Sequence, residues 1–154
     1  MNSDQSDLPI RVIERSLGPD SVINDDSRYS VDGRPIPVAV RPKNIDDLSA
    51  ILTESHDQDV KVMPVGGGTR LSLGNAAQTP DIALDTTPLN QPVSINSADL
   101  TATFEAGMTL DSVQSILAEN NQFLAMDAAL SNNATIGGIL ASGTSGPLKW
   151  QYGN

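Results

Sequence analysis

The sequence predicts an α+β domain whose first part is α/β-like, and two observations carry that prediction. Short apolar runs of strand length, at Val38–Val40, 60–65 and 82–84, are separated by a stretch in which apolar residues recur at helical spacing. A strand pattern at 101–105 is then followed by a second helical pattern over 110–117, which repeats the spacing of the first. Strands alternating with helices at these intervals imply some parallel pairing.

Each element has its own local chemistry. Asp7, Leu8 and Pro9 start a helix with Pro in its first turn; Val12, Ile13 and Leu17 form its apolar stripe, and Gly18 and Pro19 stop it. Residues 20–35 are polar, rich in Asp and Ser, and read as a lead-in loop with turn signals at Gly33 and Pro35. Asn44 can cap the next helix. Asp46 and Asp47 in its first turn suit the helix dipole, and Ile45, Leu48, Ile51 and Leu52 share one face. The 60–65 strand runs directly into Gly66, Gly67 and Gly68. Thr109 can cap a further helix with Leu110, Val113, Ile116 and Leu117 on one face. Residues 1–36 therefore form an N-terminal helix and lead-in, and residues 37–154 the main domain. Within the latter, a first subdomain runs to about residue 88 and a second starts near residue 93.

Composition narrows the function classes. The 154 residues fit one domain with a moderate core, and 38% hydrophobic with 18% charged residues do not describe a disordered chain. Aromatics are only 3%, so the core rests on Val, Ile, Leu and Ala. A net charge of −10 argues against sequence-independent nucleic-acid binding and against docking on an anionic membrane. There is no cysteine, which excludes disulfides, thiolate metal sites, iron–sulfur clusters and a Cys nucleophile. The acidic N-terminus lacks the pattern of a signal peptide, and no apolar run approaches the ~20 residues of a membrane span. The expectation is a soluble cytoplasmic protein.

Two glycine-rich segments could carry chemistry. The first is Pro64, Val65, Gly66, Gly67, Gly68, Thr69, Arg70 and Leu71, followed by Gly74. Glycines right after a strand permit positive φ and let backbone approach a ligand; their N–H groups can converge as a nest for phosphate oxygens, with the Thr69 hydroxyl beside them. The same triplet reads about equally well as a tight turn. It is neither a dinucleotide fingerprint, which needs Gly where Leu71 stands, nor a Walker loop, which ends in Gly-Lys-Ser/Thr. The second segment runs from Ala134 through Thr135, Ile136, Gly137 and Gly138 to Ser142, Gly143, Thr144, Ser145, Gly146 and Pro147. Gly143 and Gly146, with Ser142 and Ser145, could form a second nest. Alone, the segment reads as readily as a flexible loop.

Taken in this order, with a strand–helix unit between them, the two segments resemble the FAD-binding domain of the vanillyl-alcohol oxidase and para-cresol methylhydroxylase (PCMH) superfamily. The closer likeness is to the FAD-linked subunit of glycolate oxidase and to D-lactate dehydrogenase-like proteins. The matching residues are Val40, Arg41 and Pro42; Gly66, Gly67, Gly68 and Thr69; Glu105, Ala106 and Gly107; Ala134, Thr135, Ile136, Gly137 and Gly138; and Ser145, Gly146 and Pro147, with Tyr152 and Gly153 opening the next signature. The likeness covers roughly residues 35–154.

The resemblance implies a PCMH-type fold of two subdomains with FAD extended between them. It places the pyrophosphate on the first segment, and the diphosphate and flavin side along the second. Those roles pass to Gly66, Gly67, Gly68, Thr69, Thr135, Gly137, Gly138, Ser145 and Gly146, with Val65, Arg70, Leu71, Ser142, Gly143 and Tyr152 beside them. It further implies an FAD-dependent oxidation of a 2-hydroxy acid such as glycolate or D-lactate, with hydride passing to the flavin. The FAD is expected to be non-covalent, because no Cys exists and Thr69 or Arg70 holds the loop position where covalent relatives carry His.

There are departures from the family pattern. The stretch 125–130 lacks the family's prolines and keeps only Asp127, and Lys149 stands where Arg is common. The family domain continues past Asn154 with more strands and a substrate cap. The second subdomain is therefore expected to be incomplete and truncated at its C-terminus. The rival reading is a non-catalytic or vestigial flavin-binding subunit, or a fragment active only with companion oxidoreductase subunits or a missing C-terminal half. Catalytic residues are unassigned. His56 is placed near a helix C-terminus, where an imidazolium suits the dipole, and Arg41 on the strand surface.

Overall fold

The computed structural model describes residues 7–24, 28–74 and 80–153. Residues 25–27 of the expected lead-in loop lie outside that set. The chain divides into two compact units, Met1–Val65 with Leu71–Pro88 and Gly66–Arg70 with Leu89–Asn154.

In the first unit, helix α1 (Leu8–Leu17) starts with Pro in its first turn and stops at Gly18, as its sequence predicts. The expected loop after it is instead structured. A 3₁₀ turn (Pro19–Ser21) leads into β1 (Val22–Asn24), and β2 (Ser30–Val31) pairs with β3 (Arg34–Pro35) around a turn at Asp32 and Gly33, both at positive φ. These strands are two or three residues long, too short to show a period, so tertiary pairing and not local pattern creates them. Then follow β4 (Val38–Val40), α2 (Ile45–Asp57), β5 (Val62–Val65) and β6 (Ile82–Asp85). Asn44 Oδ1 accepts the Asp47 amide at 2.8 Å, an N-cap worth about 1 kcal/mol.

The sheet order is β1-β4-β6-β5, with β6 parallel to both β4 and β5 and β1 antiparallel to β4. Strand alternation splits the core into two faces. Val38, Val40, Ile82 and Leu84 point to α1 and α2 and pack with Val12, Ile13 and Ile51. Ala39, Ala83 and Val65 point to the other face, with Tyr29 and Ile36. Strands β4 and β6 are buried on both faces, which is why they read as continuous apolar runs. On α2 the expected four-residue face is narrower than its sequence suggests: Ile51 is fully buried, but Ile45 and Leu52 are 60% and 44% exposed.

In the second unit, β7 (Pro92–Asn96) and β8 (Thr101–Phe104) form an antiparallel hairpin with a bulge near Pro92. The all-exposed β7 has no buried face, and nothing in its sequence pattern announces it. Helix α3 (Leu110–Ala118) is capped by Thr109 and buries Val113 and Leu117 against Met108, with Phe104, Leu124 and Ile136 around them. Helix α4 (Ile136–Ser142) buries Ile139 beside Leu110 and Ala134. A four-residue helix α5 (Lys149–Tyr152) follows. No helix among the described residues is long and apolar enough to cross a membrane.

Candidate functional site

The first glycine segment leaves the sheet at the carboxyl end of β5. Val65 and Leu71 flank it, Val65 buried in the first unit's core and Leu71 half-buried against it. The five residues between them pack in the second unit. A Cβ on Gly66 would run into Thr135 Oγ1, and one on Gly67 into the carbonyl oxygen of Asn133. These two glycines thus let the two motif segments touch, which the sequence could not show. Gly68 has φ +70°, a conformation that favours glycine.

The donors of this segment are unspent. Among the described residues, the amides of Gly66, Gly67, Gly68 and Thr69 make no hydrogen bond to the protein. Four consecutive amides without a protein partner are donors that an anionic ligand could take up. Gly67 and Gly68 are exposed and Gly66 and Thr69 half-buried, so the group is reachable from outside.

The second segment is wired differently. Thr135 is buried and caps α4, its Oγ1 accepting from the Gly138 amide at 3.3 Å. The Ile136 amide donates to Met108 O at 2.8 Å and the Gly137 amide to Ala106 O at 2.9 Å. The start of α4 therefore has no amide to spare. At its other end Gly143, at φ +60°, is the helix C-cap; its amide bonds to Leu140 O, and Thr144 N bonds to Ile139 O. The Ser142 hydroxyl donates to Ile139 O and pairs with Thr144 Oγ1. Beyond this cap donors reappear: among the described residues the amides of Ser145 and Gly146 have no protein partner. Gly146 lies so close to Asp127 that a Cβ would collide with it, and Asp127 Oδ2 accepts the Leu148 amide at 2.8 Å. Asp127, Ser145 and Gly146 line a cavity of about 270 Å³ together with Ala125, Met126, Ile139 and Lys149. Tyr152 stands edge-on to Phe123 with ring centroids 5.6 Å apart.

The residues present fit an anionic ligand that approaches backbone closely. The unspent amides match phosphate oxygens, and the glycine surfaces allow close approach. Arg70 is exposed and, among the described residues, forms no ion pair or hydrogen bond with the protein. His56 is exposed in the last turn of α2, where its sequence put it.

One polar cluster escaped the sequence reading. At the carboxyl edge of the first unit's sheet, Asp85 Oδ2 accepts from Tyr29 Oη at 2.6 Å and from Arg41 Nε at 2.8 Å. Arg41 Nη2 donates to Tyr29 Oη at 2.9 Å. Asp85 Oδ1 accepts from the Thr87 amide at 2.9 Å and from Thr87 Oγ1 at 2.6 Å. Arg41 is therefore bound into a network and is not a bare surface residue. Burial, with the hydrogen bond to Asp85, pushes the Tyr29 phenol up to about 12. Burial also pushes the Asp85 carboxyl up, but hydrogen bonds from Thr87, Tyr29 and Arg41 outweigh it and hold the group below its usual range. Arg41 is raised, chiefly by its hydrogen bond to Asp85. A signal was present: Arg41 and Asp85 each directly follow a buried apolar triplet, so they fall side by side on adjacent parallel strands.

Comparison with known proteins is consistent with this geometry. Residues 36–154 match the model of a family described as FAD binding domain. The chain is 33% identical over 121 residues to the D-2-hydroxyglutarate dehydrogenase of Xanthomonas citri pv. viticola, covering 78% of this chain and 26% of that protein. It is 32% identical over 131 residues to the glycolate oxidase subunit GlcD of Bacillus subtilis, covering 81% of this chain and 28% of that protein. The chain thus spans about a quarter of the length of these relatives. In fold it is similar to p-cresol methylhydroxylase, with a TM-score of 0.72 and 17% identity, covering 91% of this chain and 30% of that one.

Proposed function

The chain belongs to the FAD binding domain family, and on that premise we propose that it is the cofactor-holding part of an FAD-dependent oxidoreductase acting on a 2-hydroxy acid. The observation that carries the reading is the run of unspent amides at Gly66, Gly67, Gly68 and Thr69, packed against Thr135 in the order and fold of that family. D-2-hydroxyglutarate dehydrogenase and glycolate oxidase are both named for 2-hydroxy acids, which supports the substrate class.

In this reading the four amides hold the FAD diphosphate, and Arg70 adds charge from outside. The Ser145 and Gly146 amides supply further donors, while Gly137 and Gly138 offer backbone surface and Ser142, Gly143 and Tyr152 shape the surroundings. Bound FAD supplies the two-electron acceptor for the substrate's α-carbon hydride. The chain's own residues bind and orient the cofactor. The FAD is held non-covalently: there is no Cys, and the one His lies on an exposed helical turn of the first unit. Turnover, electron acceptor and companion subunits belong to the protein as a whole.

The test is direct. Purified protein should carry a flavin absorbing near ~450 nm, release all of it on acid precipitation, and bleach anaerobically with D-2-hydroxyglutarate, glycolate or D-lactate. Protein that neither retains nor takes up FAD would sink the reading. Colour remaining with the precipitate would overturn non-covalent binding alone.

A further inference from the structure

The first segment's donors have a direction, and the Asp85 cluster sets it. The Val65 carbonyl accepts from the Thr86 amide at 2.8 Å and from Thr86 Oγ1 at 3.2 Å. In a planar trans peptide the C=O and the following N–H point opposite ways. Fixing Val65 O on Thr86 therefore aims the Gly66 N–H away from β6. Thr86 is in turn bracketed. Before it, Asp85 lies in register with Val65, its side chain only 5% exposed and tied to Tyr29 and Arg41. After it, Thr87 is bound back to Asp85 Oδ1 through both its amide and its hydroxyl. The carboxylate closes a turn around the one residue that grips Val65 O. Tyr29 is itself anchored, its carbonyl accepting the Ile36 amide at 2.8 Å.

We propose that Asp85 is a positioning residue for the flavin: held by Tyr29 and Arg41, it clamps Thr86 on the Val65 carbonyl and so presents the Gly66 amide to the FAD diphosphate. This rests on the flavin reading above. Asp85 touches no cofactor itself. Its role is to keep the first of the four donors from swinging back toward the sheet, which would cost the diphosphate one hydrogen bond.

The test uses the full-length protein and three variants. Asp85→Asn removes the charge that holds Arg41, and Tyr29→Phe removes one hydrogen bond to the carboxylate without changing shape. Ile51→Val weakens the same unit's core away from the cluster. The readouts are FAD affinity by flavin fluorescence, the ³¹P resonances of the bound diphosphate, and the urea midpoint. Asp85→Asn should weaken FAD binding by about tenfold, as expected for a lost hydrogen bond to a charged group, and shift the ³¹P resonances. Tyr29→Phe should do the same to a smaller degree, and it decides the matter if Asp85→Asn fails to fold. Ile51→Val should lower the urea midpoint and leave the ³¹P resonances in place. If Tyr29→Phe and Asp85→Asn bind FAD as the wild type does with unmoved resonances, or weaken it only as Ile51→Val does, the inference falls and the flavin reading stands. If the wild type itself binds no FAD, both fall.

Discussion

The two glycine segments look alike in sequence and do opposite things with their backbones. In residues 66–69 the glycines bring the chain against Asn133 and Thr135 while leaving their own amides unpaired. In residues 136–144 the amides are consumed by Met108, Ala106, Thr135 and the turns of α4, and the glycines serve packing and the helix C-cap. Beyond α4, among the described residues, the amides of Ser145 and Gly146 are again without a protein partner, as is that of the buried Thr135 before it. Glycine richness alone therefore does not mark an anion site; the destination of each N–H does.

The largest effect is expected at Gly67. A Val side chain there meets the Asn133 carbonyl, so the two segments must part before any ligand is considered. Gly67→Val should abolish FAD binding and destabilise the protein by about 3 kcal/mol, the upper end for overpacking. Flavin content and a thermal melt check both. A variant with wild-type stability that still fails to bind FAD would mean the loop is not held by Asn133.

The Asp85 cluster, which borders the first segment, makes stability depend on pH. Tyr29 has its folded pKa raised to about 12 from an unfolded value near ~10, so its contribution is complete below pH ~10 and is lost as pH rises through 12. Asp85 is depressed when folded, so its contribution is present above its unfolded pKa of ~3.9 and lost as pH falls through the lower folded value. Stability should fall by roughly 1–3 kcal/mol between pH 10 and 12, and Tyr29→Phe should flatten that limb. An unchanged alkaline limb in the variant would show that Tyr29 does not carry it.

Within the second segment, Gly137 and Gly138 sharpen the contrast at smaller scale. A Cβ on Gly137 would stand 3.0 Å from Ala106 Cβ and 3.1 Å from Ala106 O, so Gly137→Ala should cost about 1–2 kcal/mol. Gly138 has only Thr135 Oγ1 nearby, at 3.2 Å, and Ala is the better helix former by up to ~1 kcal/mol. Gly138→Ala should therefore stabilise by about 0.5 kcal/mol and yet weaken FAD several-fold, if the bare backbone there faces the cofactor. Denaturant unfolding and fluorescence titration read the two effects separately. Unchanged FAD affinity in Gly138→Ala would remove that residue from the site.

Much of this was legible before the fold was known, and the illegible parts have a common cause. The caps at Asn44 and Thr109, the stop at Gly18 and the strands from β4 to β6 follow from local chemistry that acts within a few residues. The hairpin of β2 and β3 and the exposed β7 do not, because pairing partners create them and not a buried face. The candidate site was found by the order of its motifs. What sequence could not give was the accounting of donors: nothing local says that the Gly137 amide goes to Ala106 while that of Gly67 stays free. The Tyr29, Arg41 and Asp85 cluster was missed because its members lie up to 56 residues apart and meet only through strand register.

The smallest effect belongs to Arg70, and it tests what kind of site the first segment is. The side chain is exposed and, among the described residues, holds no partner, so Arg70→Ala should change stability by less than about 0.5 kcal/mol. If the amides carry the diphosphate, the loss of this charge removes only a screened, outer attraction in a chain of net charge −10. FAD affinity should then fall about threefold at low ionic strength and by less as salt is added. If Arg70 instead closes directly on the diphosphate through paired N–H donors, the loss should reach tenfold or more and survive salt. Titrations at two salt concentrations separate the cases. A large, salt-resistant loss would move the anion site from the backbone of residues 66–69 to a side chain, and the contrast between the two glycine segments would no longer rest on their amides.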